Sequence, residues 1–291
     1  MTLAPGIHVI TADAYHRDDV CDQPSLSASL AHILCTSSPA HARIAHPRLN
    51  PDFERHEEEK FDTGTVAHAL LLQGEDVAVI VDAPDWRTNA AKEERDAARA
   101  AGQIPLLAKH WDAVRAMVAA TREQLDKIEV SPALFTDGKP EQTLIWEDDG
   151  VMCRARIDWL HDDLSAIDDY KTSKASANPE SWSRTLFGIG ADMQVAFYLR
   201  GLAAVAGAAV AGMADWRFVV QETYPPYALS VVSLSPDVLA LADAKVEWAI
   251  QLWKQSLASG EWPAYPTRVC WAELPPWEEA RWMEREAREA A

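Results

Sequence analysis

The spacing of apolar positions changes period twice along the chain. Between Leu106 and Leu125 (LLAKHWDAVRAMVAATREQL) apolar residues recur near every 3.6 positions, which predicts a helix. Further on the period falls to two: QTLIWED, VMCRARIDWL and LSAIDDY read as three successive strands separated by the turn-like DDG and HDD. From Pro179 the helical period returns and is clearest in DMQVAFYLRGLAAVAG. DWRFVVQET and YALSVVSL predict two more strands around a Tyr-Pro-Pro turn, and SPDVLALADAKVEWAIQLWKQSLASG predicts a long terminal helix with a Ser-Pro start and a Gly stop.

Upstream the signal is weaker. Residues 24–36 (PSLSASLAHILCT) predict a short helix with serines at its start, ended by SSPAH. HPRLNPDFERHEEEK reads as a loop, GTVAHALLLQG as a compact apolar helix with His68 one turn in, and residues 85–103 as a mobile or surface segment with a weak helical pattern. The expectation is one α/β (α+β) domain with a mixed sheet flanked by helices. Within it we distinguish a helical segment 1–130, a sheet-and-helix region 131–260 and a tail 261–291.

Composition narrows the classes. An apolar fraction of 48% with 25% charged residues is ordinary for a globular core. No apolar run approaches the ~20 residues needed to span a bilayer. The first residues lack the basic-then-apolar pattern of a secretory signal. Cys21, Cys35, Cys153 and Cys270 form no C-x-x-C pair, so reduced thiols in a cytoplasmic protein without membrane association are expected. The net charge of −18 counts against generic phosphate binding, unless basic groups are local and a cation neutralises the carboxylates.

One stretch is chemically conspicuous. In SAIDDYK, Asp169 and Lys171 share one face of a strand, and Asp168 and Tyr170 share the other. A hairpin through HDD would bring Asp158 beside Asp169. Two carboxylates beside a lysine can hold Mg²⁺, which takes oxygen ligands and keeps several waters. The lysine could orient or deprotonate a water, or stabilise charge on a phosphate. The alternative is a structural Asp169–Lys171 ion pair with turn aspartates around it.

Further residues fall into order around this stretch: Glu141, then Asp158 after about sixteen residues, Asp169 after about ten more, Lys171-Thr172, and Gln194 with Tyr198 on a following helix. With GTVAHALLLQ upstream and the opening SLSASLAHILCTSSPAHA, this resembles the PD-(D/E)XK nuclease superfamily, in its RecB-like branch. Within that branch it is similar to the exodeoxyribonuclease VIII (RecE)-type exonucleases of phages and prophages. The resemblance runs from about residue 24 to the terminal helix and implies a restriction-endonuclease-like core.

The resemblance implies that Asp158, Asp169 and the Tyr170 backbone carbonyl bind metal, with His68 a ligand or a group beside the ligands. Lys171 would be the catalytic lysine, and Glu141 the upstream acidic position. Gln194 and Tyr198, four apart on one helix face, would border the site. Each has a plainer reading: His68 as a core histidine, Gln194 and Tyr198 as the edge of a core. Asp148, Asp162 and Asp163 are expected in turns. Asp168 is expected to make a helix-side or solvent contact, and Trp146 and Trp159 to pack in the core. Thr172, Lys174, Arg184 and Trp182 are candidate DNA contacts, with core or loop packing the alternative for Trp182. The region of Arg43 and Arg48 is a further candidate for phosphates.

What the resemblance implies about function is a Mg²⁺-dependent exonuclease, Mn²⁺ substituting, that digests linear double-stranded DNA from 5′ ends to leave 3′ single-stranded tails. It also implies a homo-oligomeric ring and a single-strand annealing partner in recombination. An iron–sulfur cluster is not expected, since Cys270 alone lies in the C-terminal part. Rival readings are an endonuclease or repair nuclease of the same fold, a catalytically inactive DNA-binding or interaction module, and a metal-dependent hydrolase of another substrate.

Overall fold

Alternating apolar positions become strands in the computed structural model, which describes residues 2–53, 59–75 and 77–289. The strands are β1 (Gly6–His8), β2 (Ala78–Val81), β3 (Ile104–Leu107), β4 (Gly138–Asp148), β5 (Val151–His161), β6 (Ala166–Ser173), β7 (Asp215–Glu222) and β8 (Leu229–Val232). Six of them form a sheet in the order β1-β4-β5-β6-β7-β8, and β2 with β3 forms a small parallel pair. Within the large sheet β6 and β7 run parallel and the other neighbours antiparallel. A parallel pair needs a crossover. The helices between β6 and β7 supply it.

The helices are α1 (Ala12–Arg17), α2 (Ala28–Thr36), α3 (Pro39–Ile44), α4 (Glu59–His68), α5 (Asn89–Ala100), α6 (Ala108–Leu125), α7 (Pro179–Gly188), α8 (Ala191–Ala206), α9 (Ala208–Ala211), α10 (Pro236–Ser259) and α11 (Pro276–Glu289). Local chemistry fixes their ends. Ser27, Ser38 and Ser235 cap the N-termini of α2, α3 and α10 with their hydroxyls, each taking up an N–H that the helix leaves unpaired. Gly260 ends α10 at φ +72, in the left-handed region.

Two apolar layers sandwich the sheet. On one side Leu144, Trp146, Ala155, Ile157 and Phe218 pack against α2, α8 and α10. Gly201 lets α8 approach, because a Cβ there would lie 2.8 Å from the Trp146 ring. On the other side Val66, Val114, Met117, Tyr170 and Val219 join α4 and α6 to the sheet. No helix among the described residues is long and apolar enough to cross a membrane.

The expected mixed sheet and its five main strands are present. Residues 85–103, expected as a mobile or surface segment with a weak helical pattern, carry a largely exposed helix, Asn89–Ala100, capped by Thr88 with Ala91 and Ala98 buried. Two expectations are corrected. The stretch from Leu106 begins as the end of β3 before turning helical, and α10 is followed by α11, whose described side chains are all exposed or half-exposed. Part of the expected loop 46–60, namely 54–58, lies outside the described residues.

Candidate active site

The site forms where the sheet opens. Strands β5 and β6 pair only at Trp159↔Asp168 and Leu160↔Ile167; beyond that β6 leaves β5 and pairs with β7 along its whole length. The two carboxylates Asp158 and Asp169 face each other in this fork. Across β4 and β5 the register passes from Pro140↔Trp159 to Gln142↔Ile157, so Glu141 lies opposite Asp158 where the pairing is interrupted. Glu141 has φ +57, costly for a residue with a Cβ, and such strain concentrates at functional positions. Glu141, Asp158 and Asp169 thus form one row across three strands.

Other elements close on that row from both layers. His68, at the end of α4, places Nε2 3.1 Å from an Asp158 oxygen and Nδ1 3.3 Å from Glu141. Its helix continues as a π-helical turn, Ala69–Gln73, and Gln73 donates to Glu141 at 3.2 Å. The Tyr170 N–H donates to Asp158 at 3.0 Å in place of a ladder bond. From the opposite layer Gln194 on α8 donates to Asp169 at 2.7 Å, and the Lys171 ammonium lies 2.5 Å from its other oxygen. Tyr198, one turn after Gln194, is buried, its ring edge-on to Trp216 and its hydroxyl meeting that of Tyr15.

These groups shift one another's protonation. Burial pushes the Asp169 carboxyl up to about 6, and Asp158 adds to the rise, while Lys171 and His68 oppose it. For Asp158, burial also raises the pKa, but the His68 and Lys171 charges outweigh it and hold the carboxyl below its ordinary value. Burial alone would lower His68 and Lys171; the surrounding carboxylates raise both.

A divalent cation fits this donor set. Asp169 Oδ1 is buried without a well-aligned hydrogen bond, although Lys171 pairs with it as an ion, and the row offers hard carboxylate oxygens with an imidazole beside them. Among the described residues no three such side chains already stand as a metal cage. Asp158 and Asp169 are instead tied to His68, Gln194 and Lys171. When bound, a divalent cation would polarise a phosphate and make water a better nucleophile.

Of the residues singled out from the sequence, the structure brings together His68, Glu141, Asp158, Asp169, Lys171, Gln194 and Tyr198, with the backbone N–H of Tyr170 reaching from β6 to Asp158. Thr172 and Lys174 line a cavity just beyond, and Arg184 is exposed on α7. Trp182 does not contact solvent: it is 1% exposed and packs on Phe218 with ring centres 5.3 Å apart, so it offers no face to a base. Arg48 is occupied as well, donating to the carbonyls of Asp18, Cys21, Asp22 and Gln23.

Asp168 is also corrected. It lies on the face opposite Asp169, as the alternation requires, but it makes neither a solvent nor a helix contact. It is wholly buried and accepts from Arg217, from His161 at 2.9 Å and from the Phe135 N–H at 2.8 Å. Asp148 is the last residue of β4, 3.3 Å from Arg200, while Asp162 and Asp163 do lie in the turn.

Sequence reasoning missed Arg156, whose guanidinium pairs with Glu141 and donates to the Ile10 carbonyl at 2.8 Å. The signal was present: Arg156 stands two residues before Asp158 on one strand face. It missed Gly64 too. A Cβ there would lie 2.7 Å from the Thr172 hydroxyl, so only glycine lets α4 bring His68 this close to β6. Gly64→Ala is expected to cost about 1–3 kcal/mol by overpacking. Thermal unfolding should show the loss, and Thr172→Ala in the same chain should recover most of it.

A restriction-endonuclease-like sheet with paired carboxylates and a lysine at its fork defines the PD-(D/E)XK class of fold. The family model described as "PDDEXK-like domain of unknown function (DUF3799)" matches residues 33–271, and the chain belongs to that family. Its fold is similar to a crystal structure described as a "Putative exonuclease" from Eubacterium rectale. The two are 12% identical, with 92% of this chain and 97% of that one covered at a TM-score of 0.61. A second crystal structure, of SSO0001, is 15% identical over 68% of this chain and 88% of that one, at a TM-score of 0.27. No curated protein matches the sequence.

Proposed function

We propose that this protein is a Mg²⁺-dependent exodeoxyribonuclease acting on linear double-stranded DNA. The observation that carries the reading is the row of Glu141, Asp158 and Asp169 in the sheet fork with Lys171 beside it. Asp158 and Asp169 would hold the cation, with His68 orienting Asp158 from the α4 side of the sheet. Lys171, raised in pKa by its carboxylate neighbours, keeps its proton near neutrality and so suits stabilising charge on the phosphate better than removing a proton from water. Gln194 fixes the rotamer of Asp169, and Arg156 with Gln73 fixes Glu141. Mn²⁺ is expected to substitute for Mg²⁺.

The finer reading, a RecE-type enzyme that digests from 5′ ends within a ring-shaped oligomer and hands 3′ tails to an annealing protein, is supported by the sequence resemblance. The name of the Eubacterium rectale structure supports exonuclease action over endonuclease action. The test is linear duplex DNA labelled separately at its 5′ and 3′ ends, beside a closed circle and an Asp169→Asn control. Release of the 5′ label from linear DNA alone, requiring Mg²⁺ and intact Asp169, is the expected result. Cutting of the circle would transfer the assignment to an endonuclease. Silence on every DNA with Mg²⁺ and Mn²⁺ would leave a non-catalytic module.

A further inference from the structure

Beyond the carboxylate row lies a cavity of about 670 Å³, at the carboxyl ends of the parallel strands β6 and β7. In open α/β sheets this is where ligands bind, because the strands end and the chain diverges. Thr172 and Lys174 reach the cavity from the end of β6, and Thr223 from the end of β7. Thr63 and Gly64 reach it from α4, the helix that carries His68. The cavity is therefore walled by the same strand and helix that build the catalytic row.

Its chemistry is mixed in a particular way. Trp86, Pro105 and Leu106 give flat, apolar surface, while His110 and Lys174 add polar groups. Trp86 is half-buried, and the Arg95 guanidinium stands 6.0 Å from its ring centre. Lys174 is exposed. The volume lies within the range of small-molecule sites and leaves room for one nucleotide. A protein of net charge −18 gains little from bulk attraction to phosphates, so stacking must carry more of its hold on a strand.

We propose that this cavity is a subsite for a single unpaired nucleotide of the DNA strand being cut, its base stacked on Trp86 and its phosphate beside Lys174. The subsite rests on the nuclease reading above and adds to it a contact to a base rather than to the backbone alone. It requires the strand to be melted by at least one pair at the site. Duplex ends, frayed ends and gaps should therefore be preferred over continuous duplex.

The test uses the full chain and linear duplexes carrying 2-aminopurine at successive positions from one end. Emission is read without divalent metal, and cleavage is then measured with Mg²⁺. One position should change emission on binding; Trp86→Ala should abolish that change and raise KM about tenfold, with a smaller effect on kcat. Trp86→Phe, which keeps an aromatic face and the local packing, should retain both signals. Cleavage by wild type with KM and emission unaltered in Trp86→Ala would overturn the subsite and leave the nuclease reading intact. If wild type cuts nothing, the nuclease reading fails: a Trp86-dependent emission change would still support the cavity as a nucleotide site, and its absence would overturn both.

Discussion

Asp169→Asn is expected to abolish cleavage and, in the absence of metal, to make the fold more stable. The loss of activity should be about 10³-fold or more, since the substitution removes the charge that faces the cation and the reacting phosphate. The gain in stability follows from burial. Asp169 is 1% exposed and holds its proton up to about pH 6, against 3.8 for the ordinary carboxyl. Below pH 3.8 the carboxyl is protonated whether the chain is folded or unfolded. Between the two values the folded state binds more protons, so stability falls as pH rises and stays reduced above pH 6. The direction rests on burial, which outweighs the opposing Lys171 and His68 charges.

Melting curves of both proteins in a chelating buffer from pH 4 to pH 8 check this. The variant should gain on wild type as pH rises and then hold a constant lead. Addition of Mg²⁺ should narrow the lead by stabilising wild type alone, by about 2.7 kcal/mol at a hundred times Kd. A variant that melts below wild type at pH 7.5 without metal would contradict the account.

The neighbouring Asp168→Ala should behave in the reverse sense, costing about 3–5 kcal/mol while sparing the chemistry of the molecules that remain folded. Among the described residues Asp168 is the only carboxylate paired with the Arg217 guanidinium, and it also accepts from His161 and the Phe135 amide. Removing it strands a buried cation and loosens the segment around Pro132, whose carbonyl Arg217 also binds at 2.6 Å. Urea unfolding read beside activity per folded molecule makes the measurement. A cost below about 1 kcal/mol would mean that water replaces the lost carboxylate.

The contrast between these two aspartates measures how much of the site was legible in the sequence. Alternation in SAIDDYK separates them onto opposite faces, and the HDD turn sets Asp158 against Asp169, because period and turn length are local properties. Which face carries the candidate site could also be read, since Lys171 shares it with Asp169. The partners of Asp168 could not: Arg217 comes from a strand joined to β6 only through a helical crossover, and no short-range pattern announces that pairing. Of the two readings of Trp182, packing holds and DNA contact does not: its position just after β6 suggested a groove, but the fold turns α7 inward. The short strands β2 and β3 carry too few residues to show a period. The helix at residues 89–100 has alanine where an apolar stripe would normally be read.

The fork between β5 and β6 also bears on folding fidelity. A slip of β6 by one position would offer Asp169 to Arg217 and His161, so two adjacent aspartates make the wrong register partly self-consistent. The penalty comes from Asp168, which would move into the place of Ile167, a fully buried core position, and from Tyr170, which would fill the cleft. With only two paired positions to β5, nearly all discrimination between the two registers falls on the parallel ladder from Ala166↔Asp215 to Ser173↔Glu222. The opening that leaves Asp158 and Asp169 out of the ladder thus makes β7 the proofreader of the candidate site.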